Sequence, residues 1–172
     1  MTQASDPVPL SLPRRLAAEF VGTALLVAVV VGSGIMAQAL TADVGIQLLA
    51  NSLATVFGLA VLIVVFGPVS GAHFNPVVTA AEWVLSRGSA AQRSPLEVVG
   101  YVLAQCIGGI AGALLANVMF DVAPAISTTE RTGTGRWSEV VATAGLVLVS
   151  LLVRSAPSAP HWAWIRRLAA RR

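Results

Sequence analysis

The stretch GPVSGAHFNPVVTAAEWVLSR, residues 67–87, contains the features that decide the fold. Two glycines and a proline among its first five residues favour irregular backbone over a regular helix. Asn75 and Pro76 then supply a helix N-cap and a first helical residue, which predicts a helix beginning at Pro76. The apolar part that follows, Pro76 to Leu85, is about half as long as the roughly 20 residues that a transmembrane helix needs. It predicts either a surface helix or a re-entrant half-helix.

The composition indicates a membrane protein. Of the 172 residues, 56% are hydrophobic and 11% are charged, values outside those of an ordinary soluble domain. The net charge is +3, but the basic residues are all arginines scattered between apolar runs, which argues against a nucleic-acid partner and leaves the lipid bilayer as the expected one. Four apolar runs are predicted to be transmembrane helices: Leu16 to Leu40, Ile46 to Phe66, Leu96 to Phe120 and Ser138 to Val153.

The arginines also predict an orientation. Nine of the eleven lie before the first predicted span, between the second and third, or after the fourth, and cytoplasmic segments collect such residues; the other two, Arg131 and Arg136, lie between the third and fourth spans. Both termini are therefore predicted to be cytoplasmic. We expect a cytoplasmic segment at 1–15, a transmembrane domain at 16–153 and a basic tail at 154–172. The tail either binds the membrane interface through its tryptophans and arginines or is out-of-frame sequence.

An internal repeat links the first and fourth predicted spans. AEFVGTALLVAVV, residues 18–30, and SEVVATAGLVLVS, residues 138–150, are identical at seven of thirteen positions. Both copies contain a glutamate, Glu19 and Glu139. Burying a carboxylate inside a membrane costs free energy, which predicts a structural role for the two side chains; the alternative is that both lie near the membrane interface. The repeat unit contains three spans, an odd number, so the second copy would be inverted, as in many transport proteins.

The loop before the half-helix has chemistry of its own if it lies at membrane depth. The carbonyls of Gly71, Ala72 and His73 would accept hydrogen bonds and the Asn75 side-chain amide would donate one to a small solute. The positive end of the half-helix dipole would disfavour cations, so a neutral solute is predicted. His73 alone is also typical of a structural side chain. The spacing of potential ligands and nucleophiles predicts no metal, no cofactor and no enzyme site.

These motifs resemble the aquaporin family, also called the major intrinsic proteins. SGAHFNPVVT, residues 70–79, resembles the first Asn-Pro-Ala loop of that family, and AEFVGT, residues 18–23, resembles the start of its first span. FGLAVL and AQCIGGIAGA, residues 57–62 and 104–113, agree further. The resemblance implies an all-α membrane protein with a right-handed helical bundle. It also implies a multi-pass tetramer in the plasma membrane and passive conduction of water, glycerol or metalloid hydroxides such as arsenite.

The resemblance also implies roles for individual residues. Asn75 would donate to the passing solute, and His73 with the preceding carbonyls would line the inner vestibule. Phe57 would belong to the selectivity constriction, and Val77 stands where the family usually has alanine. Glu19 and Glu139 would hold the re-entrant loops, and Gly108 with Gly112 would allow close helix packing.

The resemblance stops before the second half of the pore. A counterpart of Asn75 would fall near position 195 by the repeat offset, and the sequence ends at Arg172. The expectation is a C-terminally truncated member with four transmembrane helices and one re-entrant half-helix. Its function is then either conduction, or that of a non-conducting membrane protein or partner of full-length homologues.

Overall fold

The computed structural model describes residues 10–89, 92–125 and 133–155, and every regular element in these ranges is a helix. The helices are α1 (Leu12–Leu40), α2 (Val44–Ser70), α3 (Pro76–Leu85), α4 (Pro95–Met119) and α5 (Gly133–Ser155). The chain divides into two compact units: the first contains α1 to α4, and the second contains α5.

Three of the described helices, α1, α2 and α4, are long and apolar enough to cross a membrane. This confirms three of the four predicted spans. Their outer surfaces are apolar, as lipid contact requires, and include the exposed side chains of Leu49, Val56, Leu103 and Ile110. The fourth predicted span lies within α5. The apolar part of α5 with described side chains, Trp137–Val149, is shorter than a span, and the side chains that follow lie outside the described residues.

The first helix begins before the predicted span. α1 begins at Leu12, so Arg14 and Arg15 are helical and do not belong to a segment before the helix. Proline in the first turn of α1 is compatible with helix, since the amide it removes would have had no intrahelical acceptor. The Arg15 side chain also forms an ion pair with Glu97 on α4, which ties the two helix starts together. Residues 1–9 and 156–172 lie outside the described part of the chain.

The end of α2 was also predicted too early. The helix continues through Pro68 to Ser70, although the proline removes one backbone hydrogen bond. The helix ends at Gly71, whose left-handed backbone (φ 96°) is typical of a C-terminal cap, and the Gly71 amide donates to the carbonyl of Gly67 at 3.0 Å. Irregular backbone therefore begins at Gly71 and not at Gly67.

α1 is the central helix of the first unit and packs against both α2 and α4. α1 and α2 are antiparallel: Asn51 donates to the Val30 carbonyl at 2.7 Å, and Glu19 lies beside Ser70. α1 and α4 are parallel and approach closely at two glycines. A Cβ atom at Gly108 would lie 2.5 Å from the carbonyl oxygen of Phe20, and one at Gly112 would lie 2.1 Å from that of Ala24. The predicted small-residue packing is therefore present between these helices.

α3 is a ten-residue half-helix with the predicted bounds Pro76–Leu85. Phe74, just before it, packs against Gly22, which lies ten residues or about 15 Å into α1. Glu82, near its other end, approaches Arg93, which precedes α4. The chain therefore enters the bundle at the level of Gly22, and α3 returns to the end at which α4 begins. This is the re-entrant alternative and not the surface helix.

Candidate functional site

The start of α3 is capped by Asn75. Its backbone is extended (φ −152°, ψ 125°), and its side-chain oxygen Oδ1 accepts a hydrogen bond from the Val77 amide at 2.7 Å. Pro76 occupies the first turn, where a missing amide costs nothing. Because Oδ1 serves the cap, the amide nitrogen Nδ2 is the group of this half-buried side chain that can donate to a solute.

The segment that leads to Asn75 has an unusual backbone. Gly71, Ala72 and Phe74 have positive φ angles of 96°, 50° and 49°, and two of these residues are not glycine. Such conformations cost about 1–3 kcal/mol each and persist where surrounding contacts impose them. Ala72, His73 and Phe74 are all buried, and Phe74 packs edge to face on Phe66 with ring centroids 6.0 Å apart. The tight turn is therefore held by packing as well as by hydrogen bonds.

Glu19 supplies those hydrogen bonds. Its side chain is fully buried, and Oε1 accepts from Ser70 Oγ at 2.6 Å and from the His73 amide at 3.0 Å. Oε2 accepts from the Phe74 amide at 2.8 Å and from Gln105 Nε2 at 2.7 Å. One carboxylate on α1 thus joins the end of α2, the turn before α3, and α4. This is the geometry that a loop-anchoring residue requires.

The side chain of His73 does not line an accessible surface in the described structure. It is fully buried, with Nε2 2.6 Å from Glu82 Oε2 and Nδ1 3.0 Å from Thr79 Oγ1. The vestibule role implied for this side chain therefore does not fit, because both ring nitrogens are engaged by α3. The sequence contained a signal for these partners, since Thr79 and Glu82 are three residues apart and share one face of the half-helix.

Arg93 also contacts the end of α2, and the sequence analysis had considered only its charge. Its Nη2 donates to the carbonyl of Ser70 at 3.2 Å, and its Nη1 donates to Tyr101 Oη at 3.0 Å. Tyr101 in turn donates to the same Ser70 carbonyl at 2.9 Å. A cation at the C-terminal end of α2 complements the helix dipole and satisfies a carbonyl that the helix leaves open.

The remaining predicted site residues lie apart from this cluster. Phe57 is on α2, thirteen residues and about 20 Å along the helix from Ser70, and it is exposed. Val77 lies beside Asn75 and is half exposed, at 50%. Glu139 is exposed on α5, in the second unit, and its role in anchoring a second loop stays a prediction.

The described residues contain no group of three or more His, Cys, Asp and Glu side chains placed to hold a metal ion. The cluster around the turn is instead built for hydrogen bonding. It includes the side-chain amide of Asn75 at the start of a half-helix inside an apolar bundle. A polar loop buried at this depth is tolerated in membranes where it is enclosed by protein or lines a water-filled path.

Comparison with known proteins places this architecture in a family. The family model of the major intrinsic proteins matches residues 8–160. Aquaglyceroporin AqpS of Rhizobium meliloti is 51% identical over 142 residues, which cover 81% of this chain and 59% of that protein. Aquaporin Z of Photorhabdus laumondii is 42% identical over 108 residues, covering 62% of this chain and 43% of the relative. Aquaporin-2 of Rhizopus delemar is 32% identical over 163 residues, covering 81% and 49%.

The chain spans about half the length of the curated relatives it matches. The matched region includes the re-entrant turn, the capped half-helix and the Glu19 network described above. With three helices in its described part that are long and apolar enough to cross a membrane, and a family match over most of its length, the chain is a membrane protein that belongs to the major intrinsic protein family.

Proposed function

We propose that this chain forms a passive channel, or the part of one that contains the first pore loop, and that Asn75 is its central hydrogen-bond donor. The observation that carries the proposal is the cap of α3: Oδ1 of Asn75 is held by the Val77 amide, which fixes the side chain with Nδ2 as its donor. Gly71, Ala72 and Pro76 shape the turn around it, and the carbonyls of the turn are the matching acceptors.

The proposed solute is water or a small neutral molecule such as glycerol, with metalloid hydroxides such as arsenite as further members of the class. The N-terminal end of α3 presents about half a positive charge to the site, which disfavours cations. One relative is named an aquaglyceroporin and two are named aquaporins, which supports glycerol and water in this class. Phe57 and Val77 are the proposed contributors to the width of the path.

The proposal extends to assembly and location. We expect a homotetramer in the plasma membrane with both termini in the cytoplasm, and a transport activity without an enzymatic step. The arginine distribution supports the orientation, and the exposed apolar surfaces of α1, α2 and α4 support contact with lipid or with other subunits.

Vesicle swelling tests the proposal. The chain is reconstituted into liposomes, and shrinkage and swelling are followed by light scattering after an osmotic step with an impermeant solute or with glycerol. We expect flux above that of empty vesicles, and loss of most of it in Asn75→Asp, because a carboxylate has no donor and attracts cations.

Asn117→Asp is the matched control, because it makes the same chemical change on α4 away from the turn. It should leave flux unchanged. Swelling equal to that of empty vesicles would contradict conduction by this chain alone. Flux that appears only when a full-length relative is present would support the alternative of an interaction partner.

A further inference from the structure

A carboxylate, an imidazole and a hydroxyl lie in sequence beside the proposed pore residue. Glu82 Oε2 is 2.6 Å from His73 Nε2, and His73 Nδ1 is 3.0 Å from Thr79 Oγ1. Thr79 Oγ1 is also 3.2 Å from the carbonyl oxygen of Asn75. The ring of His73 and the side chain of Thr79 are buried, whereas 30% of the Glu82 side chain is exposed. The series therefore connects a partly exposed carboxylate with the backbone of Asn75.

The Thr79 hydroxyl lies within hydrogen-bonding distance of more acceptors than it can donate to. It can donate one hydrogen bond, and His73 Nδ1, the Asn75 carbonyl and, at 3.4 Å, Gln105 Oε1 are all within reach. It can also accept two, one of which comes from Gln105 Nε2 at 3.0 Å. The choice of acceptor depends on whether Nδ1 of His73 carries a proton.

Two hydrogen-bonding states follow from this count. With a proton on Nε2 alone, Nε2 donates to Glu82, Nδ1 accepts from Thr79, and the Thr79 hydroxyl does not bond to Asn75. With a second proton on Nδ1, the ring donates to Thr79 Oγ1 and the hydroxyl must turn to another acceptor. The nearest is the Asn75 carbonyl, which already accepts the Thr79 amide at 3.1 Å. Protonation of His73 thus adds a hydrogen bond at Asn75.

We propose that Glu82 is a positioning residue for Asn75: through His73 and Thr79 it couples the protonation of the imidazole to the hydrogen bonding of the Asn75 carbonyl. This rests on the proposed function, because it assigns a pH-dependent position to the residue that would donate to the solute. Glu82 holds the ring with one nitrogen toward the carboxylate and the other toward Thr79. Solute flux should then differ between the two states of the ring.

Four charged or titratable groups lie around His73. From α1, the Glu19 carboxylate accepts from the His73 amide. From α3, Glu82 faces Nε2, and its second oxygen is 4.0 Å from Arg93 Nη2. From α4, the ring of Tyr101 lies 5.4 Å from the imidazole at an angle of 57°. Two acidic groups and one basic group therefore surround the ring, and Arg93 balances part of the negative charge on Glu82.

Solid-state NMR can observe both ends of the series in the reconstituted full chain. The sequence contains two histidines, so His161→Gln leaves His73 as the single imidazole. It also contains one Asn-Pro pair, so labelling of asparagine carbonyls with ¹³C and of proline with ¹⁵N selects the Asn75 carbonyl. We expect the ¹⁵N shift of Nδ1 and the ¹³C shift of the Asn75 carbonyl to change together when the pH is varied.

Three variants, each in the single-histidine background, separate the steps. In Thr79→Val the ring should still titrate while the Asn75 carbonyl no longer responds, because the hydroxyl that joins them is gone. In Glu82→Gln the ring loses the carboxylate that holds Nδ1 toward Thr79, so the two signals should be less strongly coupled than in the parent. Glu97→Gln is the matched control, since it neutralises a carboxylate that pairs with Arg15 outside this series, and both signals should behave as in the parent.

An Asn75 carbonyl shift that is independent of His73 protonation, or that survives in Thr79→Val, would overturn the proposal. Water and glycerol flux into vesicles is measured in parallel at pH 5 and pH 8, and we expect a difference that Thr79→Val abolishes. Equal flux at both pH values with coupled NMR signals would also overturn the assigned role in conduction. Coupled signals without any flux would instead support the hydrogen-bond series and contradict the proposed channel function.

Discussion

At the scale of single residues, the hydrogen bonds of the Glu19 carboxylate stabilise the turn before α3 inside an apolar bundle. A buried carboxylate is costly unless its oxygens are hydrogen-bonded, and here each oxygen accepts from two donors. Two of the donors are backbone amides of the turn itself, which has no helical partners for them. The carboxylate and the turn therefore satisfy each other, and neither is stable at this depth alone.

Replacing Glu19 should therefore destabilise the protein strongly. Glu19→Leu leaves four buried donors without an acceptor, and each costs about 1–3 kcal/mol. Glu19→Gln should also destabilise, because an amide group would face two of the same donors. We expect a marked fall in the midpoint of thermal unfolding in detergent for both variants. Glu97→Gln serves as control: it alters a partly exposed ion pair and should change stability by less than about 1 kcal/mol. Equal effects of the Glu19 and Glu97 changes would contradict the anchoring role.

At the scale of helices, the contact between α1 and α4 depends on glycines on one face of α4. At Gly108 and Gly112 the neighbouring atoms are backbone carbonyls of α1, which cannot move aside as a flexible side chain can. Gly109 lies on the same helix, and a Cβ there would meet nothing nearer than a methyl group of Val27 at 3.9 Å. Close packing thus explains two of these glycines and leaves the third unconstrained.

Alanine substitution should distinguish the two kinds of glycine. Gly112→Ala places a methyl group 2.1 Å from the Ala24 carbonyl oxygen, so the helices must separate, at a cost of about 1–3 kcal/mol or more. Gly109→Ala should be neutral or stabilising by up to about 1 kcal/mol, because alanine is the better helix former. Unfolding midpoints and the yield of monodisperse protein measure the difference. A Gly109→Ala variant as unstable as Gly112→Ala would show that the interface is not where the structure places it.

How much of this could be predicted from sequence differs between elements. The bounds of α3 were predicted because Asn75, Pro76 and the length of the apolar run are local signals. The start of α1 and the end of α2 were not, since a turn of helix at Arg15 is supported by Glu97, which lies far along the chain, and α2 continues through Pro68, a residue that usually marks a helix end. At the site, Glu19 and Asn75 were singled out by motif. The contacts of Thr79, Glu82 and Arg93 depend on distant partners that spacing alone does not reveal.

At the scale of the whole first unit, its two ends differ in charge. Arg15 at the start of α1 and Arg93 before α4 lie at the end to which α3 returns, and both bind groups there. The opposite end, where α1 connects to α2, contains Asp43, which caps α2 by accepting from the Ile46 amide at 3.1 Å. Because arginine-rich ends of membrane proteins remain in the cytoplasm, the turn of α3 should open toward the cytoplasmic side.

Accessibility labelling tests this orientation. Cys106 is the only cysteine in the sequence, so Cys106→Ala gives a background without thiols. New cysteines are introduced one at a time: Ala42→Cys, exposed between α1 and α2, and Ser89→Cys, exposed between α3 and α4. In intact bacterial cells a membrane-impermeant maleimide should label Ala42→Cys and not Ser89→Cys, whereas both should label after permeabilisation. Labelling of Ser89→Cys in intact cells would reverse the orientation. The arginines around the turn would then face the exterior, and the positive-inside argument would fail for this chain.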